Sequence, residues 1–330
     1  MTISLVRVLV TGGSGFIGTN FIDALAAAGV RVVNYDVSAP RKSAHMIYWR
    51  QGDVLDSNAM ATVIADFQPT AIVHLAARTD LQEKSQLGGY SVNYDGTDNL
   101  IRIAREQVSI ERLVFVSTML VTRPGHVPRS DDEFSPHTLY GESKALMEKR
   151  IRAAPDLPFS WCILRPPLVW GPWVGPHYQG FFRLVARGRY FHIGSGRVDR
   201  TLGFVGNVVR HMIAAATAPA ERVHRKVFYV GDDHPTPLRD WAEEIQRQLG
   251  APPIRSIPYP IAKVAAIAGD VLRKIGIPSP IYSFRLRNIV TDWVLPVQPM
   301  VELSSPSSIT LTDGVASTIA WMRAEKLLPS

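Results

Sequence analysis

The stretch Val6 to Gly18, V-R-V-L-V-T-G-G-S-G-F-I-G, decides how the rest of the chain is read. Val6, Val8, Leu9 and Val10 form an apolar, β-branched run that enters a glycine turn. Phe16, Ile17, Phe21, Ile22 and Leu25 then follow at helical spacing. Strand, glycine loop and helix are thus contiguous, the setting in which glycines at this spacing carry meaning. Gly12 and Gly15 let a backbone turn tightly and approach a pyrophosphate, and Gly18 lets helix and strand pack closely. The N–H groups at the helix start face such an anion.

A second signal follows at the distance this reading requires. The helical pattern stops at Gly29, a C-cap residue, and Val30 to Asp36 reads as the next strand. Asp36 ends it, 18 residues after Gly18, where a carboxylate accepts hydrogen bonds from an adenosine ribose. A carboxylate there disfavours a 2′-phosphate, so NAD is favoured over NADP. Arg41 and Lys42 lie close enough to weigh against that preference.

At 330 residues the chain can hold two lobes sharing a core. Its 46% hydrophobic and 20% charged residues are ordinary for a folded globular protein. The net charge of +7 comes from scattered basic residues, with no run of five like charges. A solvated basic surface that attracts an anionic substrate therefore fits better than nucleic-acid binding. The single cysteine, Cys162, sits in an apolar run, which excludes an internal disulfide and a cysteine metal cluster and fits a reducing cytoplasm. No metal site is expected. No uncharged apolar stretch reaches the 18 or so residues of a membrane span, and the N-terminus leaves no room for a signal peptide. Ile275 to Phe284 is apolar but broken by Pro and Gly, as in a folded lobe.

From residue 1 to about 165, strand and helix patterns alternate. The candidate strands are Arg7–Val10, Arg31–Tyr35, Ile47–Trp49, Ala71–Leu75, Arg112–Ser117 and Ser160–Leu164. Most are near-continuous apolar runs, which predicts an α/β fold with a Rossmann-type doubly wound parallel sheet. Ligands bind such sheets beyond the carboxyl ends of the strands. Asp53 follows the third strand, where it could accept from an adenine amino group or simply hold a turn. Ala76 and Ala77, after the fourth, let the chain pass close to a cofactor. Asn93 opens a helical pattern and could equally be a cap.

The fifth strand ends in Ser117-Thr118, and 22 residues after Thr118 comes Tyr140-Gly141-Glu142-Ser143-Lys144 at a helix start. Tyr140 and Lys144, at i and i+4, share one helix face. A cation there stabilises a phenolate and draws a pKa near 10 toward working pH, so Tyr140 can act as general acid and base. Thr118 can hold the substrate hydroxyl and share its proton. Beyond residue 165 prolines break the alternation. Phe204–Val209 and Val227–Val230 read as short returns to the sheet, and Leu238–Leu249 and Thr318–Leu327 as amphipathic helices. Arg200 could meet a phosphate bidentately. His177 and His192 lie in the same region, where a lone histidine more often packs than catalyses.

With these residues assembled, the sequence resembles the extended short-chain dehydrogenase/reductases, and among them the NAD-dependent epimerase/dehydratase family acting on nucleotide sugars. The resemblance is carried by T-G-G-S-G-F-I-G (11–18), Asp36, G-D-V (52–54), H-L-A-A (74–77), V-N-Y-D-G-T (92–97), Y-G-E-S-K (140–144), L-R-P-P-L-V-W-G-P (164–172) and I-G-S-G-R (193–197). It covers most of the chain and weakens after about residue 250. It implies that Gly12, Gly15, Phe16, Ile17 and Gly18 touch the pyrophosphate of NAD, Asp36 the ribose, and Asp53 with Val54 the adenine. Leu75, Ala76, Ala77, Thr79, Asn93 and Pro167 would line the cofactor site. Thr118, Tyr140 and Lys144 would be catalytic, with Lys144 also on the nicotinamide ribose. Thr118, Tyr140 and Arg200 would contact substrate, Arg200 at its diphosphate. It further implies an NAD-binding domain over 1–167 with returns near 201–212 and 226–232, a mixed substrate lobe over 168–200 and 233–330, and a homodimer built on the Tyr/Lys helix and its preceding neighbour helix.

Dehydratases of the family carry Asp-Glu after the Thr, where this chain has Met119-Leu120, so 4,6-dehydration is not expected. The usual Val-Tyr-Gly reads Val121-Thr122-Arg123. The first functional expectation is a nucleotide-sugar epimerase acting at C4. A one-way 4-ketosugar reductase or dehydrogenase, or a 3β-hydroxysteroid dehydrogenase-like enzyme with Ile261 to Phe284 lining a lipid-sized pocket, are the alternatives. A dinucleotide-sensing regulator ranks last, because the Tyr/Lys pair and Thr118 are kept.

Overall fold

Val8, Leu9 and Val10 are apolar on both sides of the pleat, so the strand they form can only lie inside a sheet covered on both faces. In the computed structural model, which describes residues 6–81, 86–277, 279, 281–304 and 309–328, it does. The strand β1 (Arg7–Thr11) has β2 (Arg31–Asp36) and then β3 (Trp49–Gln51) on one side. On the other side come β4 (Ala71–His74), β5 (Arg112–Val116), β6 (Ser160–Arg165) and an edge strand, Lys226–Tyr229. All seven strands run parallel.

Alternate residues of β1 serve two cores. On one face α1 (Phe16–Ala27) brings Phe21, Ile22 and Leu25 onto Val8, Val10 and Val73. On the other, α2 (Ser57–Phe67), α3 (Ser91–Ala104) and α4 (Leu139–Ala153) bring Met60, Leu100 and Met147 onto Leu9, Ile72 and Phe115. The expected doubly wound α/β sheet is the one found. The mixed second lobe joins β7 (Leu168–Trp170) in parallel to Leu202–Phe204. Its core gathers Trp170, Phe182, Phe204 and Trp241 around α5 (Pro176–Ala186) and the helix Leu238–Leu249.

Three expectations are corrected. The third strand is Trp49–Gln51, because Ser43–Tyr48 winds into a 3-10 helix whose His45 ion-pairs with Asp23. Phe204–Val209 does not rejoin the large sheet. Leu202–Phe204 pairs with β7 instead, and Val205–Thr217 is a helix, α6, whose Val205, Val208 and Met212 bury against the sheet beside α1. The last helix is Leu311–Ala324 rather than Thr318–Leu327, started by Thr310, whose Oγ1 accepts from the Asp313 N–H at 3.1 Å. Pro278 and Pro280 of the Ile275–Phe284 stretch, and the side chain of His177, lie outside the described residues.

A buried ion pair fixes α4 to the sheet. Glu148 and Arg165 are both fully buried; Arg165 Nε donates to Glu148 Oε1 at 2.9 Å and Nη2 to Oε2 at 2.7 Å. Ser117 donates to the same Oε1 at 2.6 Å, and Arg165 also reaches the Tyr229 hydroxyl and the Asp131 carbonyl. Removing one partner strands a charge in a dry site. Arg165→Met is therefore expected to lower unfolding free energy by about 3–5 kcal/mol in denaturant titration; a loss no larger than that of an exposed arginine would show the pair to be dispensable.

Two buried histidines fold neutral. His74 is pushed down to about 3 by burial, with Lys144 adding to it, and His211 on α6 to about 4 by burial, with Arg210 adding and Asp233 opposing. Below their ordinary value near 6.5 the unfolded chain binds protons that the folded chain refuses, so stability falls as pH drops from about 6.5 toward 4. Among the described residues neither ring nitrogen of His211 has a hydrogen-bond partner. His211→Phe should then leave stability near neutral pH intact and flatten this acid slope, as read by thermal unfolding across the pH range.

Candidate active site

The glycine loop between β1 and α1 is shaped by contact with the chain leaving β4. Gly12 has φ +73°, and a Cβ on it would lie 2.5 Å from the Ala76 N. Only glycine permits that turn and that approach. Gly15 is the N-cap of α1 and Gly18 is buried in its first turn. No side chain caps α1 and no acid lies in its first turn, which leaves the N–H groups around Phe16 and Ile17 to an anion.

Asp36 stands where its sequence position required, at the end of β2. Its Oδ2 accepts from the Ser14 N–H at 3.0 Å and its Oδ1 from the Ser38 N–H at 2.9 Å, so it ties the glycine loop to the adjoining turn. Arg41 and Lys42 are engaged elsewhere: Arg41 donates to the Trp173 carbonyl at 2.7 Å and Lys42 pairs with Asp23 at 2.7 Å. Neither needs a 2′-phosphate. Asp53 spends Oδ1 on the Leu55 N–H at 2.9 Å, the turn role that was open to it, while its backbone carbonyl accepts from Tyr35. Val54 is buried over Gly96.

The chain after β4, Leu75 to Ala77, is half-buried beside the loop, and Thr79 is exposed. Asn93 is fully buried and is not a cap, since α3 begins at Ser91 with Tyr90 as N-cap. Its Oδ1 accepts from the Arg78 N–H at 2.8 Å, while Nδ2 donates to the Arg78 carbonyl at 3.0 Å and to Ser143 Oγ at 2.8 Å. Ser143 Oγ in turn donates to the Tyr140 carbonyl at 2.7 Å. One side chain thus locks the loop after β4 to the helix that carries Tyr140.

Thr118 follows β5 and is 7% exposed; its Oγ1 accepts from the Leu120 N–H at 3.2 Å. Thr138 starts α4, accepting from the Gly141 N–H at 3.0 Å. A Cβ on Gly141 would run into the Leu120 carbonyl, so this glycine is what lets α4 come in close against the Thr118 turn. The result sets Thr118 against the start of the helix that carries Tyr140 and, one turn on, Lys144. The Tyr90 ring lies 6.3 Å from that of Tyr140 and carries the Arg78 guanidinium 4.9 Å above its own centre.

The electrostatics differ from the sequence expectation. Burial pushes Tyr140 up to about 12, Thr118 lowering it and Tyr90 raising it further. Burial pushes Lys144 down to about 8, with Glu148 opposing, and its Nζ lies 3.3 Å from Met147 Sδ. In the free protein, then, Lys144 does not draw the phenol down. The phenol is held neutral because the site is dry.

Arg200 sits on Asp199–Arg200, which pairs with Thr236–Pro237. Its guanidinium donates to the Asn288 carbonyl and lies 5.9 Å over the Trp293 ring; burial lowers it to about 10, with Asp292 and Tyr178 opposing. Pro167 is buried after β6. His192 is buried beside Tyr190, with Nε2 3.3 Å from Glu243, a packing position. Sequence reasoning missed Ser143, Glu148, Arg165, Tyr90 and Arg78. Only the spacing Lys144 to Glu148, one helical turn, hinted at any of them.

The comparisons bear on the family and the fold. The chain is 27% identical over 258 residues to a 3-beta-hydroxysteroid dehydrogenase of Mycolicibacterium neoaurum, covering 72% of this chain and 69% of that one. It is 29% identical over 264 residues to a UDP-glucose 4-epimerase of Vibrio cholerae, covering 77% and 79%. The solved structure of Thermus thermophilus UDP-glucose 4-epimerase in complex with NAD superposes with a TM-score of 0.71 at 22% identity, covering 96% and 99% of the two chains. The fold is thus shared with that structure. Residues 8–231 match the NAD dependent epimerase/dehydratase family, and the chain belongs to that family of extended short-chain NAD-dependent enzymes.

Proposed function

We propose that this chain is a nucleotide-sugar epimerase acting at C4. The observation that carries the reading is the buried set Thr118, Tyr140 and Lys144, joined through Ser143 and Asn93 to the NAD-side loop. Bound NAD supplies the hydride acceptor and, on return, the donor. Tyr140 takes the proton of the C4 hydroxyl as C4 is oxidised, and Thr118 holds that hydroxyl and shares the proton. Lys144 supplies the positive charge that makes a phenolate tolerable in a dry site. The 4-keto sugar turns, C4 is reduced on its other face, and Tyr140 gives the proton back. Arg200 grips the diphosphate, exchanging the Asn288 carbonyl for phosphate oxygens.

Dehydration has no support, because Met119 and Leu120 occupy the acid positions and pack on the cluster of Tyr229, Trp293 and Leu295. The same apolar pair favours one second reading, a one-way oxidoreductase acting on a hydroxyl of an apolar skeleton, in line with the steroid-dehydrogenase relative. Assembly as a homodimer through α3 and α4 goes with either reading.

Tyr140→Phe should cut turnover by roughly 10²–10⁴-fold while purified protein keeps its NAD; retained turnover would remove Tyr140 from its role. Asp36→Ala should weaken NAD more than NADP in calorimetric titration, and equal loss of both would undercut the ribose assignment. The reaction itself is tested by incubating native protein with UDP-glucose, UDP-N-acetylglucosamine or GDP-mannose. A C4-inverted sugar with no net NADH supports the epimerase; turnover only with added NAD or NADH transfers the assignment to the one-way enzyme.

A further inference from the structure

The helix Tyr259–Lys274 is built the reverse of an ordinary surface helix. The residues it buries are small: Ala262, Ala266 and Gly269 lie against the segment that leads into the helix Ser283–Val290. The residues it exposes are large and apolar. Ile261, Val264, Ala268, Val271 and Ile275 recur at three- and four-residue steps and so form one stripe, flanked by Ala265, Ile267 and Leu272. Val264 is 69% exposed, Ile275 66% and Ile261 60%. Ile277 and Phe284, in the turn and the next helix, extend the apolar surface. A contiguous face of this kind on a folded protein marks an interaction site rather than scattered exposure.

The charge around it is one-sided. Between Tyr259 and Val290 the chain carries Lys263, Arg273, Lys274, Arg285 and Arg287 against one acid, Asp270. Asp270 is taken up at the junction of the two helices, where its Oδ1 accepts from the Ser283 N–H at 3.2 Å. Lys263 and Lys274 are eleven residues apart, three helical turns, and so lie along one edge of the apolar stripe. Arg273 lies 3.9 Å over the Tyr282 ring on the opposite, packed side. An apolar stripe edged by cations matches the physical pattern of a helix that lies in a membrane interface, its charges meeting acidic headgroups. Among the described residues no helix is long and apolar enough to cross a membrane.

The face also stands beside the catalytic helix. Phe284 packs on His137 with ring centres 5.9 Å apart, one residue before the Thr138 cap of the helix bearing Tyr140. A surface cavity of about 630 Å³, lined by Gly194, Arg197, Tyr259 and Val290 among others, opens where the two helices start and end. The Asn288 carbonyl, on the same helix as Phe284, holds Arg200. Whatever the apolar face rests on is therefore next to the site.

We propose that the hairpin of Tyr259–Lys274 and Ser283–Val290 docks the protein on an anionic lipid surface, with Ile261, Val264, Val271 and Ile275 entering the acyl boundary and Lys263 and Lys274 at the headgroups. The inference does not depend on which substrate the active site takes. Purified full-length protein is centrifuged with phosphatidylcholine vesicles prepared with and without phosphatidylglycerol. The chain is expected to sediment with the anionic vesicles, to bind neutral ones more weakly, and to be released by salt, since exposed charges are screened. Lys263→Gln with Lys274→Gln should weaken anionic binding by roughly tenfold. Val264→Glu with Val271→Glu should abolish binding while unfolding temperature and NAD content stay as in the parent, both positions being exposed. Three results overturn the proposal: wild type remaining in the supernatant with both vesicles, the double glutamate variant sedimenting as the parent does, or that variant splitting a dimer into monomers in light scattering without any vesicle binding by the parent, which would make the face a contact between two copies.

Discussion

The pair of Glu148 and Arg165 is the constraint on which the active site rests. A fully buried carboxylate and guanidinium meet through two hydrogen bonds, and four of the five guanidinium N–H groups find acceptors. Ser117 closes one side of the carboxylate from the end of β5. Arg165 reaches across to Tyr229 on the edge strand and to the Asp131 carbonyl in the loop that precedes α4. Three strands, one loop and one helix thus share a single polar node. Burying these charges is costly unless all are satisfied, so the arrangement tolerates little movement of α4 along the sheet. Thr118 follows Ser117 directly, and Lys144 lies one turn before Glu148. The distance between the hydroxyl and the helix that must cooperate is therefore set by the ion pair.

The same node shapes the charge on Lys144 and its neighbour Tyr140. Glu148 is the carboxylate that opposes the desolvation of Lys144, yet it is already matched by Arg165, and Lys144 still falls to about 8. Tyr140 rises to about 12 because burial outweighs the lowering by Thr118. Free protein therefore holds a neutral phenol next to an ammonium that gives up its proton readily. Chemistry of the proposed kind requires the opposite order, a phenolate and a firm cation. Desolvation set both values, so only charge or hydrogen bonds brought into the site by its ligands can reverse them.

Much of this was legible in the sequence because it is local. The glycine loop, Asp36, the Thr118 turn and the Tyr140–Lys144 turn are each written in a few consecutive residues whose geometry follows from φ freedom, strand ends or helical repeat. The seven-stranded sheet was legible for the same reason, since runs such as Leu113 to Val116 are apolar on both faces. What the sequence could not show is what lies far apart along it. Asn93 and Ser143 are 50 residues apart, and nothing in either segment announces their hydrogen bond. Phe204–Val209 misled because a strand and a helix meet at Phe204, and their combined apolar run has no period of its own. Trp49–Gln51 is a short edge strand, exposed on one side, so its pattern was too weak to place.

The region after residue 165 was least legible, and the reason is physical. Apart from the edge strand Lys226–Tyr229, its strands are two or three residues long and cannot hold together by themselves, so tertiary contact rather than propensity decides them. Arg200 illustrates the point. The sequence singled Arg200 out as a candidate phosphate ligand, but its present partner, the Asn288 carbonyl, comes from a helix 88 residues on. That helix also touches His137 beside the catalytic helix and carries Phe284 of the apolar surface. Movement of Ser283–Val290 would therefore act on three things together: the partner of Arg200, the packing before Tyr140 and the face turned to the outside. A segment so connected cannot respond to a surface or to a substrate without the other end of the site registering it.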